Sequence, residues 1–154
     1  MLSGCSSGSG GDDDVFGSDR SSNASLERLA GLWIPVSAKG WIMENGKKEY
    51  YTFTLNESNY DDVDIAMYEF FSDSSFLEYY YDDYKKMWIC EMRNKRHHPI
   101  TLEGNVIHGM YDDECKISIK SLSGNTLVLK SERYDGLAEG EGTYRKITDR
   151  SNVE

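Results

Sequence analysis

From Leu26 onward apolar and polar residues alternate in twos, interrupted at short intervals by residues that turn a chain. That is the pattern of strands joined by tight hairpins. A run over 32–38 places Leu32, Ile34, Val36 and Ala38 on one face. Asn45-Gly46 then supplies the positive φ angles that a type I′ turn demands, so a second strand over 49–55 folds back with Tyr51, Phe53 and Leu55 on one side. A polar loop over 56–59 follows, and runs over 65–71, 76–81 and 87–92 predict three more strands, the middle one polar around its aromatics. The run 100–102 turns at Glu103-Gly104-Asn105 into 106–110, and 115–120 turns at Ser123-Gly124-Asn125 into 126–130. Residues 142–147 close the series. The helical signal is short: Asn23 or Ser25 can cap a turn through 26–30, with Leu26 and Leu29 on one side. About nine strands without a crossover helix predict an all-β fold, an antiparallel up-and-down β-barrel, because closure removes exposed edges. A sandwich is the alternative.

Composition divides the chain in three. Residues 1–25 are rich in Ser, Gly and Asp, cannot bury enough surface to fold, and read as a disordered tether. Residues 26–148 form the folded domain, and 149–154 a C-terminal tail. A length of 154 residues leaves room for one domain. The formal charge of −10 disfavours nucleic acid and anionic membrane surfaces as partners, since both would repel the domain. No apolar run approaches the ~18 residues of a membrane-spanning helix.

Two resemblances give these segments a setting. Leu2-Ser3-Gly4-Cys5, followed by Ser6 to Gly11 and Asp12-Asp13-Asp14, resembles the lipobox of bacterial lipoproteins. It implies a signal peptide removed before Cys5, and a Cys5 that carries fatty acyl chains such as palmitate. Membrane contact would run through that anchor alone. The acidic cluster resembles the export signal of some outer-membrane lipoproteins, so the implied location is the bacterial cell envelope, periplasmic or surface-exposed. Only four residues precede Cys5, fewer than the basic segment and the ~7–15 apolar residues of a full signal peptide. Farther on, Gly31-Leu32-Trp33 after a helical turn is the G-x-W pattern that opens lipocalins. The runs 119–129 and 142–147 resemble the last strands of bacterial lipocalin-like domains. This second resemblance covers 26–148. It implies that Arg145 packs over Trp33, beside Gly31, to plug the base of the barrel.

Candidate chemistry is sparse. Gly4-Cys5-Ser6-Ser7-Gly8 matches G-x-S-x-G but lacks the strand and helix that a nucleophile elbow needs. With Cys5 taken as the anchor, Cys90 and Cys115 remain, and buried free thiols are the preferred reading over a disulfide. His97 and His98 are adjacent, so a strand would point them to opposite faces, and His108 lies apart. Asp61-Asp62-x-Asp64 and Asp112-Asp113-Glu114 could collect Ca²⁺, but the first lacks the Gly and terminal Glu of a calcium loop, and both read as solvated acids. The expectation is a protein that is not an enzyme and has neither cofactor nor metal. Trp41, Tyr51, Phe53, Tyr68, Phe70, Tyr80 and Trp88 are the candidates to line an interior pocket for a small, partly apolar or amphipathic ligand. The same rings could instead fill a solid core. The barrel would then be an accessory subunit of the envelope that docks a protein or glycan, with Tyr79 to Tyr84 as an exposed platform.

Overall fold

Gly31–Glu44 (β1) is a strand of 14 residues, and the rest of the sheet is organised around it. Its Leu, Trp, Ile and Val positions suit a pleated, half-buried surface. Pro35 has no N–H to give the ladder, and the register with its partner shifts between Pro35 and Ser37, where a bulge absorbs the missing donor. The chain reverses at Asn45 and Gly46, whose φ angles of 51° and 77° are the positive pair expected of the hairpin turn. The computed structural model that shows this describes residues 26–154.

The chain then forms β2 (Lys47–Thr54), β3 (Met67–Phe71), β4 (Ser75–Asp82), β5 (Met87–Cys90), β6 (His98–Pro99), β7 (Thr101–Glu103), β8 (Val106–His108), β9 (Cys115–Ser123), β10 (Thr126–Arg133) and β11 (Ala138–Ile147). Residues 26–29 make a helical turn, α1, and Tyr60–Val63 a second, α2. All strand ladders are antiparallel, in the order β5-β4-β3-β1-β11-β10-β9-β8-β7, with β2 on β1 and β6 on β4. The fold is all-β, as the alternation predicts.

Closure into an up-and-down barrel is not observed, and the reason lies in how β1 and the segment 98–103 divide their pairing. β1 gives one edge to β11 from Leu32 to Ile42. It splits the other between β3, at 31–33, and β2, at 37–44. At the far side, His98–Pro99 pairs with β4 while Thr101–Glu103 pairs with β8, and Ile100 sits between with its N–H donated to Ser74 O at 2.9 Å. The chain itself bridges the two halves there, but no continuous ladder does. The expected meander also misses α2, which forms between the expected loop 56–59 and the expected strand 65–71, and β3 itself starts at Met67.

Splitting the sheet leaves β3 and β4 covered on both faces. One core contains Trp33, Tyr68, Phe70, Phe76, Ile107, Ile119, Leu127 and Tyr144 on the concave side. The other contains Leu32, Leu55, Tyr60, Met67, Leu77, Tyr79, Tyr81 and Trp88 on the convex side. Alternation explains the partition: Phe76 and Tyr80 of β4 face the first core, and Leu77, Tyr79 and Tyr81 the second. Residues 149–154 are no loose tail. Trp88 N–H donates to Asn152 O at 2.8 Å and Glu154 N–H to Trp88 O at 2.9 Å, so the C-terminus covers the outer edge of β5. Arg150 clamps Glu69 with contacts of 2.7 and 3.2 Å, and the Tyr79 hydroxyl donates to the same carboxylate at 2.8 Å.

Candidate functional site

The concave face is not filled along its whole length. Where β1 passes β11, the inward positions are Ala38, Gly40, Gly140 and Gly142, a row of small residues between exposed or half-buried neighbours. Gly40, Gly140 and Tyr51 share one row across β1, β11 and β2, and the Tyr51 hydroxyl lies 2.7 Å from where a Cβ would stand on either glycine. The tyrosine thus covers bare backbone that side chains would otherwise protect. On β11, the Tyr144 ring folds back over Gly142 in the same way, 2.9 Å from its missing Cβ. Leaving these side chains out opens a cleft of about 640 Å³, within the range of small-molecule sites.

Its wall is tyrosine. Tyr51, Tyr68, Tyr80, Tyr111 and Tyr144 line it, with Phe53 beside Tyr51 at a ring separation of 5.6 Å. The Tyr68 and Tyr111 hydroxyls meet at 3.0 Å, tying β3 to the loop between β8 and β9. Tyr111 is held at a φ of 55° and Asp64, across the mouth, at 51°, left-handed conformations that cost a non-glycine residue energy. Burial raises the pKa of Tyr51, Tyr68, Tyr80 and Tyr144, so these phenols are neutral hydrogen-bonding groups near pH 7.

Acids surround the rings. Asp62, Asp64, Glu114 and Glu141 line the cleft against one lysine, Lys130. Glu78 is partly buried on β4 between Phe76 and Tyr80, opposite Tyr68. The Tyr80 hydroxyl reaches it at 3.4 Å. Burial pushes its carboxyl from 4.5 up to about 7, reinforced by the Glu91 and Asp64 charges and opposed by the Tyr80 hydrogen bond.

Of the seven aromatic candidates, four come together here: Tyr51, Phe53, Tyr68 and Tyr80. Phe70 is packed in the core beneath. Trp88 lies on the other face of the sheet, 2% exposed, in a cluster with Tyr60 and Tyr81 at ring separations of 4.7 and 5.3 Å. Trp41 is outside the cleft on the β1–β2 hairpin, under Lys48 Nζ at 4.2 Å. The run 79–84 is not an exposed platform, since Tyr79 and Tyr81 are buried and only Tyr84 stands free, at 96% exposed. The sequence reading missed Tyr111, Tyr144 and Glu78. The alternation Gly140-x-Gly142-x-Tyr144 was a signal for open space that strand prediction passes over.

Trp33 is fully buried, and its Nε1 donates to Leu29 O at 2.7 Å, fastening α1 across the end of the core. The cation over its ring is Lys146, at 5.1 Å, and not Arg145. Register decides this: Lys146 sits opposite Trp33, whereas Arg145 is opposite Ile34 and exposed. Gly31 makes room, because a Cβ there would meet Lys146 Cε at 2.8 Å and its φ of 138° favours glycine.

Elsewhere the polar groups serve local structure. Cys90 and Cys115 are free, associated with opposite cores, and burial raises both thiols. Ser75 donates to Asp73 at 2.5 Å and lies 3.2 Å from His97 Nδ1. Its one proton is committed to the carboxylate, so the imidazole is not placed to take it. His97 stacks on Phe71 at 4.1 Å, His98 lies edge-on to Phe76, and His108 contacts Glu103 at 3.0 Å. The Asp112 carboxylate accepts the Gly109 N–H, fixing the loop that carries Tyr111. Among the described residues no three His, Cys, Asp or Glu side chains group to hold a metal, and no helix is long and apolar enough to cross a membrane. Cys5 and the expected tether, residues 1–25, lie outside the described residues. No family model matches the chain, and no curated protein matches it either.

Proposed function

We propose that the chain is a lipid-anchored envelope protein whose β domain binds a small, partly apolar ligand in the tyrosine-walled cleft. The observation that carries the reading is the 640 Å³ opening itself, floored by Ala38, Gly140 and Gly142 and walled by rings with polar tips. A solid interior would have carried the rival reading, a docking subunit. The lipocalin resemblance supports the same role, with Trp33 sealing the end that α1 crosses and the cleft opening beside Asp64 and Tyr111. Binding, not catalysis, is the role that neutral phenols around an open space suit best. The Cys5 anchor rests on the Leu2-Ser3-Gly4-Cys5 sequence.

An environment-sensitive apolar dye tests the cleft. It should bind with a midpoint in the micromolar range, about −8 kcal/mol. Phe53→Arg should abolish that binding with the fold intact by circular dichroism, since Phe53 is 39% exposed at the wall. Absence of binding, or equal binding by the variant, refutes the proposal. For the anchor, the chain expressed behind an export signal should partition into detergent, and Cys5→Ala should release it.

A further inference from the structure

The cleft differs from an ordinary apolar pocket in its charge. Lys130, its one basic lining residue, lies 3.4 Å from Glu139, and Glu141 contacts Lys120 at 2.5 Å, so these charges are matched. Asp62, Asp64 and Glu114 have no cationic partner within 4 Å among the described residues. The field at the mouth is therefore negative, and it would repel a carboxylate or phosphate ligand.

The second observation is independent of those acids. Tyr144 is 5% exposed and lines the cleft over Gly142, yet its hydroxyl has no hydrogen-bond partner among the described residues. With no protein group engaging it, this hydroxyl is free to donate to or accept from a molecule in the cleft. Four more tyrosines line the same cleft, Tyr68 at a ring separation of 5.7 Å from Tyr144, and the negative π-face of a tyrosine attracts a weakly hydrated cation. A metal ion is a poor match for this set, because hard cations want several converging oxygens rather than ring faces.

We propose, building on the ligand-binding reading above, that the cleft selects an organic cation: an aromatic or alkyl amine whose apolar part lies over Gly140 and Gly142 and whose ammonium meets the tyrosine rings beneath Asp64 and Glu114. Tyr144 Oη accepts a hydrogen bond from the ammonium, and the carboxylates at the mouth draw the ligand in.

Three probes on one ring system test this: 1-naphthylmethylamine, 1-naphthylmethanol and 1-naphthoate, titrated by calorimetry at pH 7.5 and low salt. The amine should bind about tenfold tighter than the alcohol, and the carboxylate weakest of the three. Asp64→Asn together with Glu114→Gln should erase most of the amine's advantage over the alcohol. Asn tolerates the left-handed backbone at position 64, so the fold is preserved. Equal affinities for amine and alcohol, both lost in Phe53→Arg, would overturn the cation inference and leave the cleft reading standing. Binding of none of the three would overturn the cleft reading, and the inference with it.

Discussion

Glu78→Gln isolates the electrostatics of the partly buried acid opposite Tyr68 in one substitution. The Glu78 carboxyl is raised from 4.5 to about 7, first by burial and then by Glu91 and Asp64. Between those two pH values the folded chain holds this proton more tightly than the unfolded chain does. Stability from this group is therefore fully present below pH 4.5, is lost as the pH rises through 7, and is level above that. At about 1.4 kcal/mol per pH unit the interval is worth roughly 3 kcal/mol at most. Solvent reaches part of the side chain, which cuts the figure to about 1–2 kcal/mol. Gln keeps the shape and can accept from Tyr80, but it carries no charge to bury. Urea unfolding of both proteins at pH 4.5, 6 and 8 reads the effect as the difference in midpoints. The variant should match the wild type at pH 4.5 and exceed it by about 1–2 kcal/mol at pH 8. A difference that stays constant across the range, or a variant that is less stable at pH 8, would refute the argument.

Three other outcomes follow from particular contacts. Trp33→Ala should cost about 3–5 kcal/mol in urea unfolding. A double-mutant cycle should show coupling to Lys146→Ala and none to Arg145→Ala, and the reverse would mean that the register argument fails. Tyr81→Phe should stabilise the chain by about 1 kcal/mol, because the Tyr81 hydroxyl is buried without a partner. A loss of similar size would show that a water satisfies it. Removing residues 149–154 should lower the melting temperature by several degrees and shift Trp88 emission to longer wavelength, since the Trp88 backbone bonds and the Arg150–Glu69 clamp go together.

Much of the strand content could be read from alternation and turns. Asn45-Gly46, Gly104-Asn105 and Gly124-Asn125 each fall between paired strands, because positive φ is a local demand that glycine and asparagine meet without help from the rest of the chain. Topology was less legible. Alternation says which residues share a face but not which of two cores that face meets. In β4 both faces are buried, Phe76 in one core and Tyr81 in the other, so apolar character alone does not say which face lines the cleft. Trp88, on the neighbouring β5, packs in the second core, which the same lack of a cue conceals. Arg145 and Lys146 differ by one position, and the register between β1 and β11 shifts just beyond the pair, between Pro35 and Ser37, so the choice needed the register itself. The cleft was hardest to foresee, because its floor consists of residues with little or no side chain, which hydrophobic patterning does not score.

A cleft made by omission sets how a lineage of such proteins can change. Each of Ala38, Gly140 and Gly142 sits in an intact ladder, so the hydrogen-bonded frame does not depend on their staying small. Adding a methyl group at Gly140 would first displace the Tyr51 ring, and at Gly142 the Tyr144 ring, before it touched a backbone bond. Cleft size and sheet integrity are thereby assigned to different atoms. The same scaffold could be retuned, by nature or by design, through single substitutions that trade volume for ring position and leave the fold alone.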